Sequence, residues 1–166
     1  MGCDIHFVVE RKSKGLNRWI GVWSSGSSPR SPSDISMAAL LAEEPTNVWV
    51  YRNIVLKDRN YAFFAALAGV RGDGPDPAGL PEDVSELAQE ESEAWDGDGH
   101  SHSWNTLYDF VHTWLSVAYP SKYMPLLMEA PTTALNLVDA VAGSYIATKP
   151  EHHEDSEYRV VYWFDN

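Results

Sequence analysis

Two short segments carry the side chains best suited to proton transfer: GCDIH at residues 2–6 and DGDGHSHSW at residues 96–104. Between them they supply His6, His100 and His102. An unperturbed imidazole titrates near pH ~6.5, so it can give or take a proton close to neutrality. In the second segment two histidines stand just ahead of an expected helix. Free backbone N–H groups and the positive dipole end at such a place attract phosphate. A phosphodiester is the natural guest. Two competing readings stay open: a solvent loop turned by its glycines, and metal ligation through His-x-His with Asp96 and Asp98 ahead of it. An EF-hand match fails, because His100 stands where a carboxylate is required and Leu107 where the final Glu belongs.

In GCDIH, strand alternation puts Asp4 and His6 on one face, where the carboxylate can orient the ring or raise its basicity. The plainer alternative is that both simply face water. Arg59, Arg71 and Arg159 are candidates to hold a phosphate bidentately, and Tyr61, Trp104 and Trp163 to stack on a base. Surface ion pairing is the bland role for the arginines and core packing for the aromatics, most of all for Trp104. Cys3, the only cysteine, lacks the context of a recognisable nucleophile.

Composition narrows the partners. The 166 residues suit one domain, 1–166, able to bury a core without disulfides. With no signal sequence at its start and no long apolar run, the chain reads as soluble and cytoplasmic, without a membrane partner. A lipid anchor is rejected, because His6 stands where a myristoylation signal needs Ser or Thr. The net charge of -12 is concentrated: residues 73–98 hold ten of the 24 acids and residues 151–157 four more, with no Lys or Arg in either. Ten acids therefore face all twelve bases elsewhere. Polymeric DNA or RNA is excluded, since it needs many phosphates neutralised at once, whereas a small anion in a locally basic pocket is not.

The elements must then bring these groups together. Residues 3–10 alternate as a strand, 18–23 as its hairpin partner and 158–164 as a closing strand beside the first. On the last, Arg159, Val161, Trp163 and Asp165 share a face. A helix capped by Ser33, a strand over 48–56 and a helix over 133–141 are also expected. Asp58 caps a helix reaching Val70, which leaves Arg59, Tyr61 and Arg71 near its ends. An acidic helix runs from Pro81 to about Trp95, and DGDGHSHS is a loop before a helix capped by Ser103. The order predicts an α+β fold: an antiparallel or mixed sheet including the N- and C-terminal strands, with helices packed on one side.

Five blocks, MGCDIH, DRNYAFFAALAGVRG, GLPEDVS, DGHSHSW and RVVYWFDN, together resemble a family of small proteins encoded by tailed bacteriophages. The resemblance implies a setting: the cytoplasm of an infected bacterium, where phage accessory proteins counter defences that signal with cyclic nucleotides. The expected activity is then a phosphodiesterase cleaving a small, cyclic nucleotide signal without metal or other cofactor. His6, His100, His102 and Asp4 are its catalytic residues. Arg59, Tyr61, Arg71, Trp104, Arg159, Trp163 and Asn166 bind the ligand. One alternative is a sponge, working as a homo-oligomer, that captures the nucleotide without cleaving it. Another is an inhibitor docking on a host protein through Glu86, Glu90 and Glu93.

Overall fold

The structure, a computed structural model, describes residues 2–13, 15–25, 59–118 and 158–166. Its elements are β1 (Ile5–Ser13), β2 (Arg18–Ser24), α1 (Tyr61–Ala68), α2 (Glu86–Glu93), β3 (His100–Thr106), α3 (Leu107–Ala118) and β4 (Tyr158–Phe164), with a 3-10 turn over Asp96–Asp98. All neighbouring strands pair antiparallel, in the order β2-β1-β4-β3. This is the α+β arrangement expected, with the last strand beside the first. The helix at Ser33, the strand over 48–56 and the helix over 133–141 lie outside the described residues.

β4 is the centre of the core, and all seven of its residues are buried. Its sequence YRVVYWF explains why, since apolar side chains point to both faces and each face needs a cover. On one face Phe110 of α3 meets Phe7 at 5.5 Å and Tyr162 at 5.7 Å between ring centroids, and Phe64 of α1 meets Phe164 at 5.1 Å. These two helices form the layer expected on one side, but the helices are not confined to it. α2 adds a cover on the opposite face, where Ala88 joins Val8, Val161 and Trp163, flanked by Leu80, Val84, Leu87 and Trp95. Each such buried side chain gains ~1.5–3 kcal/mol over exposure, so a bare second face would be costly.

Two helix starts are displaced from their expected caps. Asn60, not Asp58, caps α1, its Oδ1 accepting the Phe63 N–H at 3.1 Å. Residues 100–106 form the strand β3 instead of a loop and a helix start, so Trp104 is on a strand and α3 begins only at Leu107. Thr106 Oγ1 accepts the Asp109 N–H at 3.1 Å, in place of the Ser103 cap. The cause is the open edge of β4, whose backbone groups HSHSWNT satisfies.

Opposite the open end of the sheet, Arg159 is locked under α2. It pairs with the fully buried Glu10 and with Asp83 Oδ1 at 2.7 Å, donates to the Asp83 carbonyl at 2.9 Å, and lies 4.1 Å over the Trp19 ring. Glu10 also receives the Ser85 N–H at 2.7 Å, which fixes the cap of α2 to the sheet. All three nitrogens of this guanidinium thus donate within the fold.

Candidate functional site

The chemistry-bearing residues gather where β1 begins and β4 ends. Asp165 continues the ladder, donating its N–H to the Asp4 carbonyl at 3.2 Å, while its Oδ1 accepts the Asp4 N–H at 2.8 Å. Its Oδ2 lies 3.1 Å from His6 Nε2. A carboxylate only accepts, so Nε2 carries the proton and Nδ1 becomes the lone-pair nitrogen of the ring. Both side chains are 16% exposed, and Trp95 covers the imidazole with its ring centroid 4.0 Å away.

Asp4 does not orient His6 as expected. It is held by Arg59 through two parallel bonds of 2.7 Å, and this guanidinium pulls the Asp4 carboxyl below its ordinary pKa. Arg59 lies close over Gly2, where a Cβ would fall 1.7 Å from Nη1, so a side chain there would make the half-exposed guanidinium shift. Tyr61 is exposed at the start of α1, and Asn166 is exposed at the end of β4. Arg71 stands near the buried Cys3 thiol and acts to lower its pKa, but burial, the larger effect, pushes it up. That thiol is a poor thiolate source near neutrality.

A bulge divides the two histidines of DGHSHSW. His100 pairs with Phe164 and Ser103 with Tyr162, so three steps on β3 match two on β4, and Ser101 takes φ 53°. His100 therefore stays on the Phe164 face, 6.3 Å from that ring, whereas His102 stands beside Trp163 at 6.1 Å on the opposite face. His100 Nδ1 meets Ser101 Oγ at 2.9 Å, and its Nε2 is buried without a partner among the described residues. His102 Nε2 meets Ser92 Oγ at 2.8 Å. Burial, and secondarily the nearby His100, lowers the His102 pKa. His6 also lies 6.1 Å from Trp163, so His6 and His102 flank one indole.

The structure thus gathers Asp4, His6, His102, Trp163 and Asp165 near one end of the sheet, with Arg59 on Asp4, whereas Tyr61 packs against Phe64 on the Phe164 side and Arg71 stands by Cys3. It turns His100 to the other face. Arg159 is six residues from Asp165 along the chain, roughly 20 Å at strand rise, and Trp104 lies over it at 5.7 Å. Neither belongs with His6. Ser92 and Trp95 went unnoticed in the sequence, because nothing local marks a helix serine or a tryptophan that meets an imidazole only across the fold. Among the described residues no three His, Cys, Asp or Glu side chains are grouped to hold a metal ion, and no helix is long and apolar enough to cross a membrane.

Comparison of the chain with protein-family models, with curated proteins and with solved structures gives no match.

Proposed function

We propose that the protein is a phosphodiesterase acting on a small cyclic nucleotide signal, with His6 as its proton acceptor. The observation that carries this reading is the His6 Nε2 to Asp165 Oδ2 contact at 3.1 Å, which directs the lone pair of the ring to Nδ1. Arg59 and Arg71 stand at the same end, supplying cations for the phosphate that the acidic remainder of the chain does not. Arg59 would exchange one carboxylate bond with Asp4 for a phosphate oxygen, a substitution its planar fork suits.

In this mechanism His6 Nδ1 takes the ribose 2′-hydroxyl proton, Arg59 stabilises the charge that develops on phosphorus, and Tyr61 stacks on a base. His102 is a poor choice for the acid, because its depressed pKa keeps it neutral near pH 7. The leaving 5′-oxygen is accordingly protonated from solvent. A phage origin, read from the resemblance of the five blocks, makes a bacterial immune signal the substrate. The test compares His6→Ala with the wild type: turnover of a cyclic dinucleotide is lost while calorimetric binding persists. Equal turnover in both would overturn the assignment.

Capture without cleavage is favoured by one specific observation. The bulge at Ser101 leaves His100 and His102 on opposite faces, so the expected pair of adjacent imidazoles is not built. A sponge needs only Arg59, Arg71 and Tyr61. Intact ligand recovered after denaturing the loaded protein identifies it.

A further inference from the structure

Ser92 and His102 form a second reactive pair that the phosphodiester chemistry leaves unused. Ser92 lies in the last turn of α2, 7% exposed, and its Oγ is 2.8 Å from His102 Nε2, within the range required of a nucleophile and its base. The His102 ring stacks beside Trp163 with 19° between planes, which fixes its orientation. A base must be unprotonated to work, and burial favours the neutral ring.

A further group points to a ligand at the same place. Trp163 is 0% exposed, and its indole Nε1–H has no hydrogen-bond partner among the described residues. A buried donor left unpaired costs ~1–3 kcal/mol, so a site that keeps one calls for an acceptor. Gly99 lies against both rings. A Cβ built on it would lie 3.6 Å from Trp163 Cδ1, the carbon bonded to Nε1, and 3.8 Å from His102 Cε1, the carbon between Nδ1 and Nε2. The indole edge that carries Nε1 and the His102 ring are therefore neighbours across this glycine.

We propose that Ser92 is a nucleophile toward small, uncharged carboxylic esters, with His102 as its general base and Trp163 Nε1–H as the donor to the carbonyl oxygen. Ser92 Oγ forms a bond to the carbonyl carbon while its proton passes to His102 Nε2. The carbonyl oxygen, now negative, accepts from Trp163 Nε1. Collapse breaks the carbon–oxygen bond to the alcohol, which leaves with the proton from His102, and an acyl-serine remains. Water then attacks that acyl group with His102 again taking the proton, which releases the acid and regenerates Ser92. An uncharged ester is the fitting class, because one neutral N–H suits a single oxyanion.

The test is a fluorophosphonate probe, which phosphonylates activated serines, applied to the full chain and read by intact and peptide mass spectrometry. The wild type gains one adduct, on Ser92, and acid- or heat-unfolded protein gains none. Ser92→Ala gains none, and His102→Gln reacts at least a hundredfold more slowly. Gly99→Ala provides a variant that removes no polar group: Gly99 has an ordinary extended backbone, φ -77° and ψ 123°, and the added methyl meets only Trp95 Cβ tightly, at 3.1 Å. The methyl crowds Trp95, Trp163 and His102 and slows labelling at least tenfold. Absence of an adduct on the folded wild type, an adduct elsewhere, or undiminished labelling of His102→Gln each overturns the proposal. Cyclic-dinucleotide turnover measured in parallel stays with His6 and is retained by Ser92→Ala, so the failure of one reading is distinguishable from that of the other.

Discussion

Asp165 and His6 face each other at 3.1 Å although 159 residues separate them in the chain. The contact exists because β4 runs antiparallel beside β1 and overshoots it by one residue, which returns the Asp165 carboxylate to the imidazole and to the Asp4 N–H. One side chain thus ties the two ends of the described chain and sets the tautomer of the proposed base.

Asp165→Asn keeps the size and the acceptor for Asp4 but presents an amide to His6 Nε2. An amide N–H would favour the wrong tautomer, with the proton on Nδ1. Turnover is expected to fall by about 10²- to 10⁴-fold with affinity nearly unchanged, as when an imidazole is held in the wrong tautomer. Steady-state rates against calorimetric affinity check it.

Gly2→Ala acts on the neighbouring anion site. Its methyl would make the exposed Arg59 guanidinium shift from the position in which it clasps Asp4. Nucleotide binding is expected to weaken about tenfold, roughly 1.4 kcal/mol, and Arg59→Ala should weaken it by a similar factor. Titration calorimetry on both variants measures this.

Arg159→Met separates fold from function. It leaves Glu10 buried and uncompensated beneath α2, so unfolding free energy should fall by about 3–5 kcal/mol in urea titrations. Nucleotide affinity should not change, since this arginine is engaged at the far end of the sheet.

Stability should depend on pH in two windows. His102 has a folded pKa below its ordinary 6.5, so the unfolded chain binds its proton first; stability is full above about pH 6.5 and declines as pH falls toward the folded pKa. Asp4 and Asp83, held low by Arg59 and Arg159, contribute stability above about pH 4 that is lost as pH falls through their folded values. Thermal midpoints between pH 7 and pH 5 should drop for the wild type and flatten for His102→Gln.

Strands whose side chains alternate were legible from the sequence: β1, β2 and β4 follow from IHFVVE, RWIGVW and YRVVYWF, and the pairing of the terminal strands follows from the cost of open edges. β3 was not, because HSHSWNT has no apolar alternation and follows glycines that read as a loop. With it went the placement of His100 and His102, since a single bulge reverses a face and has no signature beyond Ser101 at positive φ. That Asp4 orients the His6 ring was a local inference; Asp165 makes that contact instead, and Asp4 is held by Arg59. The gathering of Arg59, Tyr61 and Arg71 at the ends of α1 survived because helix ends are marked by caps and turns.

The most direct measurement of the central claim incubates purified protein with a panel of cyclic dinucleotides and cyclic oligonucleotides, with and without EDTA, and resolves the products by chromatography. The account predicts a linear product from at least one of them, formed equally with EDTA and lost in His6→Ala. Recovery of every ligand intact after denaturing the protein, or turnover that EDTA abolishes, would contradict it.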